Sequence, residues 1–316
     1  MAGELIAIIA VLTFVVSNVI FRKTEHDTSP VYINFFRTGI ATLTFIIIAL
    51  ILNVFVKAFL VPLEIWTILI ISFVFGQVIG DTAYFKAQKD LGTTIALSVS
   101  MTFPIFTFIL SIVFLNQHFD VIIISSIILI GIGIIIIGKS KINSENKNIL
   151  NEPSESKSIQ MFKAIGFALI ASLGWAIALV MIDYATNEID QILQEEQSIS
   201  AIIGNMIRFP FASLMLATMV WRESNVAKKG DRLPIQKRSS NSYFLLFVGA
   251  IIGTSLGAYV YTEAARIAGA TIMSLIASTS PLFALPLTYF VNKEKITKFG
   301  FLGVILTIIG VIVILV

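Results

Sequence analysis

"GQVIGDTAYFKAQKDLGTTIALSVSMTFP" (residues 76–104) lies over "GTSLGAYVYTEAARIAGATIMSLIASTSP" (residues 253–281) without a gap. Nine of the 29 positions are identical: Gly76/Gly253, Gly80/Gly257, Tyr84/Tyr261, Ala87/Ala264, Gly92/Gly269, Thr94/Thr271, Ile95/Ile272, Thr102/Thr279 and Pro104/Pro281. Lys89 meets Arg266 and keeps its charge, whereas Asp81 meets Ala258. Shared apolar composition would pair Ile with Leu; it would not align glycines, a tyrosine and a proline. A second match sets "INFFRTGIATL" (33–43) over "GNMIRFPFASL" (204–214), with Asn34 on Asn205 and Arg37 on Arg208. The chain reads as an internal duplication, and that constrains the architecture before any helix is assigned.

Composition supplies the solvent. Of 316 residues, 57% are hydrophobic and only 13% charged, against about 25% charged in an ordinary soluble domain. Mean hydropathy is +0.93. A water-soluble fold of this length has too little interior to hide so much apolar surface, so the bilayer is part of the solvent. A net charge of +3 with no basic, aromatic-laced face argues against nucleic acid. With no cysteine, disulfides, thiolate metal sites and cysteine nucleophiles are excluded. The opening "MAGELIAIIAVLTFVVSNVIF" has no basic leader, and its apolar run exceeds the ~7–15 residues of a signal-peptide core. It reads as a retained first membrane helix.

Crossing ~30 Å of hydrocarbon takes about 20 mostly apolar residues in a helix. Ten segments qualify: 4–21, 31–52, 65–85, 92–114, 119–138, 163–184, 199–221, 243–265, 269–291 and 297–316. Their continuous apolarity, without period-2 alternation, argues for helices over barrel strands. A polar segment rich in Ser and Asn, "KSKINSENKNILNEPSESKSIQ", lies near the midpoint. The expected organisation is therefore an all-α membrane protein with a first repeat over 1–139 (helices 1–5), a linker over 140–162 and a second repeat over 163–316 (helices 6–10). Five is odd, so the second half enters the membrane from the opposite side. The halves are then inverted repeats, as in many secondary transporters that work by alternating access around a midplane site.

GxxxGxxxYxxA, then a proline in the next helix and a short polar turn, resembles the EamA domain of the drug/metabolite transporter superfamily. Here it occurs twice, as "GQVIGDTAYFKAQKDLG…MTFP…LNQHFD" and "GTSLGAYVYTEAARIAG…STSP…VNKEKIT". The Leu that often follows the Ala is replaced by Gln88 and Ala265. The arginine of "FFRTG" and "MIRFP" is similar to one in the family's second helix. "SLGWAIALVMI", with Gly174 and Trp175, looks like the family's first-helix element, where the first half has Thr13 and Phe14. The resemblance covers nearly all of the chain outside its two polar loops. It implies a ten-helix carrier of small metabolites, often an exporter, and leaves open amino acids, sugars, nucleotide sugars and drugs.

Charge in hydrocarbon costs about 2.5–3.5 kcal/mol per residue, which makes intramembrane ionisable groups functional candidates. Lys86, Lys89 and Asp90 fall in the tight turn expected between helices 3 and 4, within reach of the interface, and read as anchors. Arg37 lies about six residues into helix 2, some 9 Å deep, and Asp81 about four residues from the end of helix 3, some 6 Å from the same face. Antiparallel helices bring them to similar depth, and a pair at one cavity mouth is expected. Arg208, Glu263 and Asp183 form the corresponding candidate cluster near the other face, so that two gates alternate. Ser17, Asn18, Asn34, Gln77, Trp175, Asn205, Tyr259 and Ser278 are the candidates for the cavity lining. Gly76/Gly80 and Gly249/Gly253/Gly257 read as close-packing stripes. Pro104 and Pro281 read as mid-helix kinks or hinges lining the binding region.

Orientation follows from Lys and Arg. Eighteen lie in or beside the loops after helices 1, 3, 5, 7 and 9, against Lys57 and Arg266 on the other side. The positive-inside rule puts the eighteen in the cytoplasm and both termini outside, the reverse of the tendency implied by the resemblance. The reading is a multi-pass carrier of the cell membrane for a small polar or amphipathic solute, amino-acid-like among others, with no cofactor or metal and with protons as a candidate coupling ion through Asp81. A nucleotide-sugar or drug carrier, a channel and an intramembrane enzyme are the alternatives. The enzyme is disfavoured because His26 and His118, the only histidines, lie near helix ends.

Overall fold

A computed structural model describes residues 2–118, 120–148, 155–194, 199–229, 239–292 and 298–315. Among them the regular structure is helical throughout. The helices are α1 (Ala2–Arg22), α2 (Pro30–Ile51), α3 (Leu63–Leu91), α4 (Thr93–Ser100 continued by Phe103–Phe114), α5 (Val121–Asn148), α6 (Glu155–Leu193), α7 (Ile199–Lys229), α8 (Ser240–Ala268), α9 (Ala270–Ala277 continued by Ser280–Asn292) and α10 (Lys298–Leu315). Eight of these, all but α5 and α10, carry spans long and apolar enough to cross a membrane among the described residues. The chain is an all-α, multi-pass membrane protein, with large side chains such as Leu5, Leu43, Leu63 and Phe290 exposed on its outer surface.

Local signals set the helix ends. Ser29 caps α2, accepting from the Tyr32 N–H, and Pro30 occupies the first turn, where its missing donor costs nothing. Asn53 and Asn116, just beyond α2 and α4, take the left-handed conformation that ends a helix. α3 extends past the expected 65–85, so "KAQKDL" is helical and the turn into α4 is made at Gly92, φ 79°. Gly269 makes the same turn between α8 and α9, φ 84°. Only glycine takes these angles freely. The acidic "NEIDQIL" likewise prolongs α6, and the expected 140–162 linker is helical at both margins, with residues 149–154 outside the described set.

Two distortions repeat. α3 is π-helical over Val74–Asp81 and α8 over Ala250–Leu256, within two residues of the 177-residue register of the repeat. α4 is interrupted at Met101–Thr102 and α9 at Ser278–Thr279, each just ahead of the matched prolines Pro104 and Pro281. The prolines were expected inside kinked helices. They stand instead in the first turn of a restarted helix, where the missing N–H is one of the donors that a helix start leaves unpaired anyway.

The halves interlock. α1 packs on α8, α6 on α3, α2 on α7 and α5 on α10. Backbone proximity makes this possible: a Cβ on Gly174 of α6 would stand 2.5 Å from the Phe75 carbonyl oxygen, and one on Gly253 of α8 would stand 2.0 Å from Ser17 Oγ of α1. The two glycine turns lie at opposite ends of α1. Arg22, at its C-terminal end, donates to the carbonyls of Gln88 and Lys89 beside Gly92. Gly3, at its N-terminal end, abuts Ala268 beside Gly269.

Candidate functional site

The sequence places N-x-x-R on α2 (Asn34, Arg37) and on α7 (Asn205, Arg208). Residues three apart share a helix face, and in both copies the arginine Nε donates to the asparagine Oδ1, at 3.1 and 3.0 Å. Each asparagine is itself anchored. Asn34 Nδ2 donates to the Gln77 carbonyl (2.7 Å) and to Thr82 Oγ1 (2.9 Å) of α3. Asn205 Nδ2 donates to the Ala258 carbonyl (3.4 Å) of α8, and Thr262 Oγ1 donates to Asn205 Oδ1 (3.3 Å). Both arginines are 4% exposed and both lie over aromatic rings. Arg37 Cζ is 5.0 Å from the Phe85 centroid, and Arg208 Cζ is 5.2 Å from that of Phe73.

The copies part at the next residue. Arg37 Nη2 forms an ion pair with Asp81 Oδ2, and Asp81 Oδ1 accepts from Trp175 Nε1 of α6 at 2.8 Å. Both carboxylate oxygens are thus engaged. In the second copy Ala258 stands where Asp81 would, and Arg208 Nη2 donates only to Thr262 Oγ1 at 3.3 Å. Among the described residues Arg208 has no anionic partner. Glu263 instead binds Arg266, whose other side pairs with Asp190 at 2.6 Å. Asp183 accepts from the Ala270 N–H (2.6 Å) and from Asn187 (2.7 Å), capping the start of α9. The expected cluster of Arg208, Glu263 and Asp183 is therefore divided between the cavity and the outer end of α8. Arg208 faces the same space as Arg37.

That space is a cavity of about 120 Å³ lined by α1, α2, α3, α4, α6, α7, α8 and α9. Arg37, Asp81 and Arg208 are its charged lining. Its apolar walls include Phe14, Phe73, Phe103 and Trp175. Met101 and Phe103 bring in the break of α4, and Ala277 and Ser280 that of α9. Both π-helical stretches also reach it, through Gln77 and Gly76 in α3 and through Gly253 and Thr254 in α8.

Of the eight residues expected to line a cavity, Gln77 and Trp175 do so. Asn34 and Asn205 stand one shell back as braces of the arginines. Ser17 and Ser278 turn back to backbone carbonyls of their own helices, as Ser and Thr commonly do in apolar helices. Asn18 Nδ2 does the same, and Tyr259 packs partly buried against the α2–α3–α7 core. Thr254 was not singled out. It aligns with Gln77, and its Oγ1 is buried without a hydrogen-bond partner, so the repeat itself pointed to it. Tyr84 and Tyr261 are identical in the alignment yet differ in use. Tyr84 OH donates to Gln88 at 2.6 Å away from the cavity, and Tyr261 lines it.

Outside the spans, the α1–α2 loop closes over the end of α3. Glu25 pairs with Arg22 and accepts from Gln88 Nε2 at 2.6 Å. Burial raises the Glu25 carboxyl above its ordinary range, with Arg22 and the Gln88 hydrogen bond opposing. Asp27, bound by the Ser239 N–H (3.1 Å) and Ser242 Oγ (2.7 Å), ties this loop to the start of α8. Burial raises its carboxyl, but these hydrogen bonds outweigh that and hold it below the usual range.

Comparison with known proteins agrees with this architecture. The EamA-like transporter family model matches residues 1–139 and 162–316. The chain is similar to a protein of Archaeoglobus fulgidus named an uncharacterized transporter, 25% identical over 98% of this chain and 97% of that one. One from Clostridium kluyveri, also named an uncharacterized transporter, is 26% identical over 44% of this chain and 42% of its own length. A solved crystal structure shares the fold, with a TM-score of 0.70 at 12% identity over 99% of this chain and 96% of that one.

Proposed function

We propose, from the premise that the chain belongs to the EamA-like transporter family, that it is a ten-helix secondary transporter moving a small metabolite by alternating access. The helices form two inverted repeats, α1–α5 over 1–139 and α6–α10 over 163–316. The two family matches fall on these halves, and the Gly92 and Gly269 turns sit at opposite ends of α1. Glycine turns, π-helical stretches and broken helices recur at matched positions in both.

The observation that carries the reading is the cavity itself. It lies between the halves, where discontinuous helices and a buried ion pair converge, which is the expected place for a carrier site. α4 and α9 break beside it without losing backbone hydrogen bonds to lipid, because the breaks face protein and cavity. Arg37–Asp81 is the gate: paired, it ties α2 to α3 and, through Trp175, to α6 of the other half. Separation releases one half from the other. Protons couple if Asp81 takes one up when the pair opens. The basic loops after the odd-numbered helices face the cytoplasm, with the termini outside.

The test is counterflow in liposomes. Substrate-loaded vesicles of purified protein should show saturable exchange rather than unsaturable electrical conductance. Arg37→Asp and Asp81→Arg should each abolish exchange, and the double exchange of charges should restore part of it. Failure of rescue, with all three proteins folded, would refute the gate.

A further inference from the structure

We infer that the solute is an organic monocarboxylate, its carboxylate held by Arg208 in the cavity between the halves. The inference rests on the transporter reading and adds the substrate class. Of the two arginines in the cavity one is neutralised, and the lining keeps a single uncompensated positive charge. A guanidinium 4% exposed, hydrogen-bonded only to neutral groups and sharing the Asp81 charge with Arg37, is costly in a medium this apolar unless a second anion visits it. Thr254 also contributes to the lining of this cavity, although its hydroxyl oxygen is itself buried. A planar carboxylate suits a guanidinium so placed, because it takes the N–H groups side by side.

The same geometry disfavours a zwitterion. Asp81 is the one carboxylate of the lining and Arg37 already neutralises it, so an ammonium group would enter a lining whose net charge is positive. A dianion would leave charge over, because the lining offers one net positive charge. Phe14, Phe73 and Phe103 around the arginines call for an apolar body on the solute.

Trp175 lines the cavity and bonds Asp81, which makes it a built-in reporter. The chain has three tryptophans, so the Trp66→Phe/Trp221→Phe protein in detergent isolates its fluorescence. Isovalerate and phenylacetate should each give a saturable change. Their primary amides, leucine and inorganic phosphate should bind about tenfold or more weakly, the loss expected when a charge-assisted hydrogen bond is missing or a charge is left unpaired. Arg208→Gln should remove the preference for carboxylate over amide, and Arg208→Lys should keep part of it. Equal binding of acids and amides overturns the inference without reference to any variant, and so does phosphate or leucine competing as well as the acids. The two readings fail separately. Carboxylate binding without counterflow defeats the transporter reading and leaves the site, whereas counterflow indifferent to the carboxylate defeats the site and leaves the transporter.

Discussion

The two arginines teach by contrast. Arg37 and Arg208 share a helix face with an asparagine three residues before, are equally buried, and stack on phenylalanines at nearly the same distance. One difference, Asp81 against Ala258, turns one into half of a closed ion pair and leaves the other an open cation. A duplicated scaffold thus keeps the costly part, the burial of two guanidinium groups, and assigns different work to each.

Removing Asp81 is expected to be the most damaging single change to that contrast. Asp81→Ala leaves Arg37 buried and unpaired, at a cost of about 3–5 kcal/mol, visible as a lower midpoint in thermal unfolding in detergent. Arg208→Gln breaks no ion pair and removes a costly buried charge, so it should leave the unfolding midpoint unchanged or raise it. Equal losses for the two would erase the distinction. Ala258→Asp sharpens it from the other side: given a partner, Arg208 should no longer bind carboxylates in the Trp175 assay, while Arg37–Asp81 is untouched.

A second pair of predictions concerns the packing between halves. Gly174→Ala puts a methyl 2.5 Å from the Phe75 carbonyl oxygen, and forcing α3 and α6 apart should cost about 1–3 kcal/mol. Gly166→Ala, on the same helix with nothing within 4 Å, should be neutral or better. Gly92→Ala and Gly269→Ala should each cost about 1–2 kcal/mol, and by similar amounts, because both turns need a left-handed residue. Unequal costs would show that the turns are not equivalent.

The smallest effect is electrostatic. Glu25 has a raised carboxyl pKa in the folded protein, so its contribution to stability is fully present below the ordinary carboxylate range and is lost as pH rises through the folded value. Glu25→Gln should flatten the unfolding midpoint over that window and leave the cavity unchanged. An unaltered pH profile would show that Arg22 and Gln88 compensate its burial fully.

Much of this was legible in the sequence. Hydropathy gave eight of the spans, because a crossing helix must satisfy its own backbone and so needs a long apolar run. The repeat located both glycine turns and both proline breaks. Counting residues from helix ends put Arg37 and Asp81 at one depth, since a helix converts sequence into distance at a fixed rise. The same counting placed Arg208 beside Glu263, and there it failed: depth says nothing about which way a side chain faces around the helix axis.

That facing was decided by tertiary structure. In a soluble helix the polar stripe names the outer face, but lipid is as apolar as the core, so a membrane helix carries little record of its inner side. The π-helical stretches shift the helical phase within and beyond them, at Asp81 and Ala258 included, by an amount no periodicity in the sequence reveals. Close glycine contacts across the halves, Gly174 on Phe75 and Gly253 on Ser17, then fix the rotation. The sequence by itself determined the medium, the duplication and the residues worth watching. Only the packing of one half against the other decided that Arg37 is paired, that Arg208 is not, and that both open on one cavity.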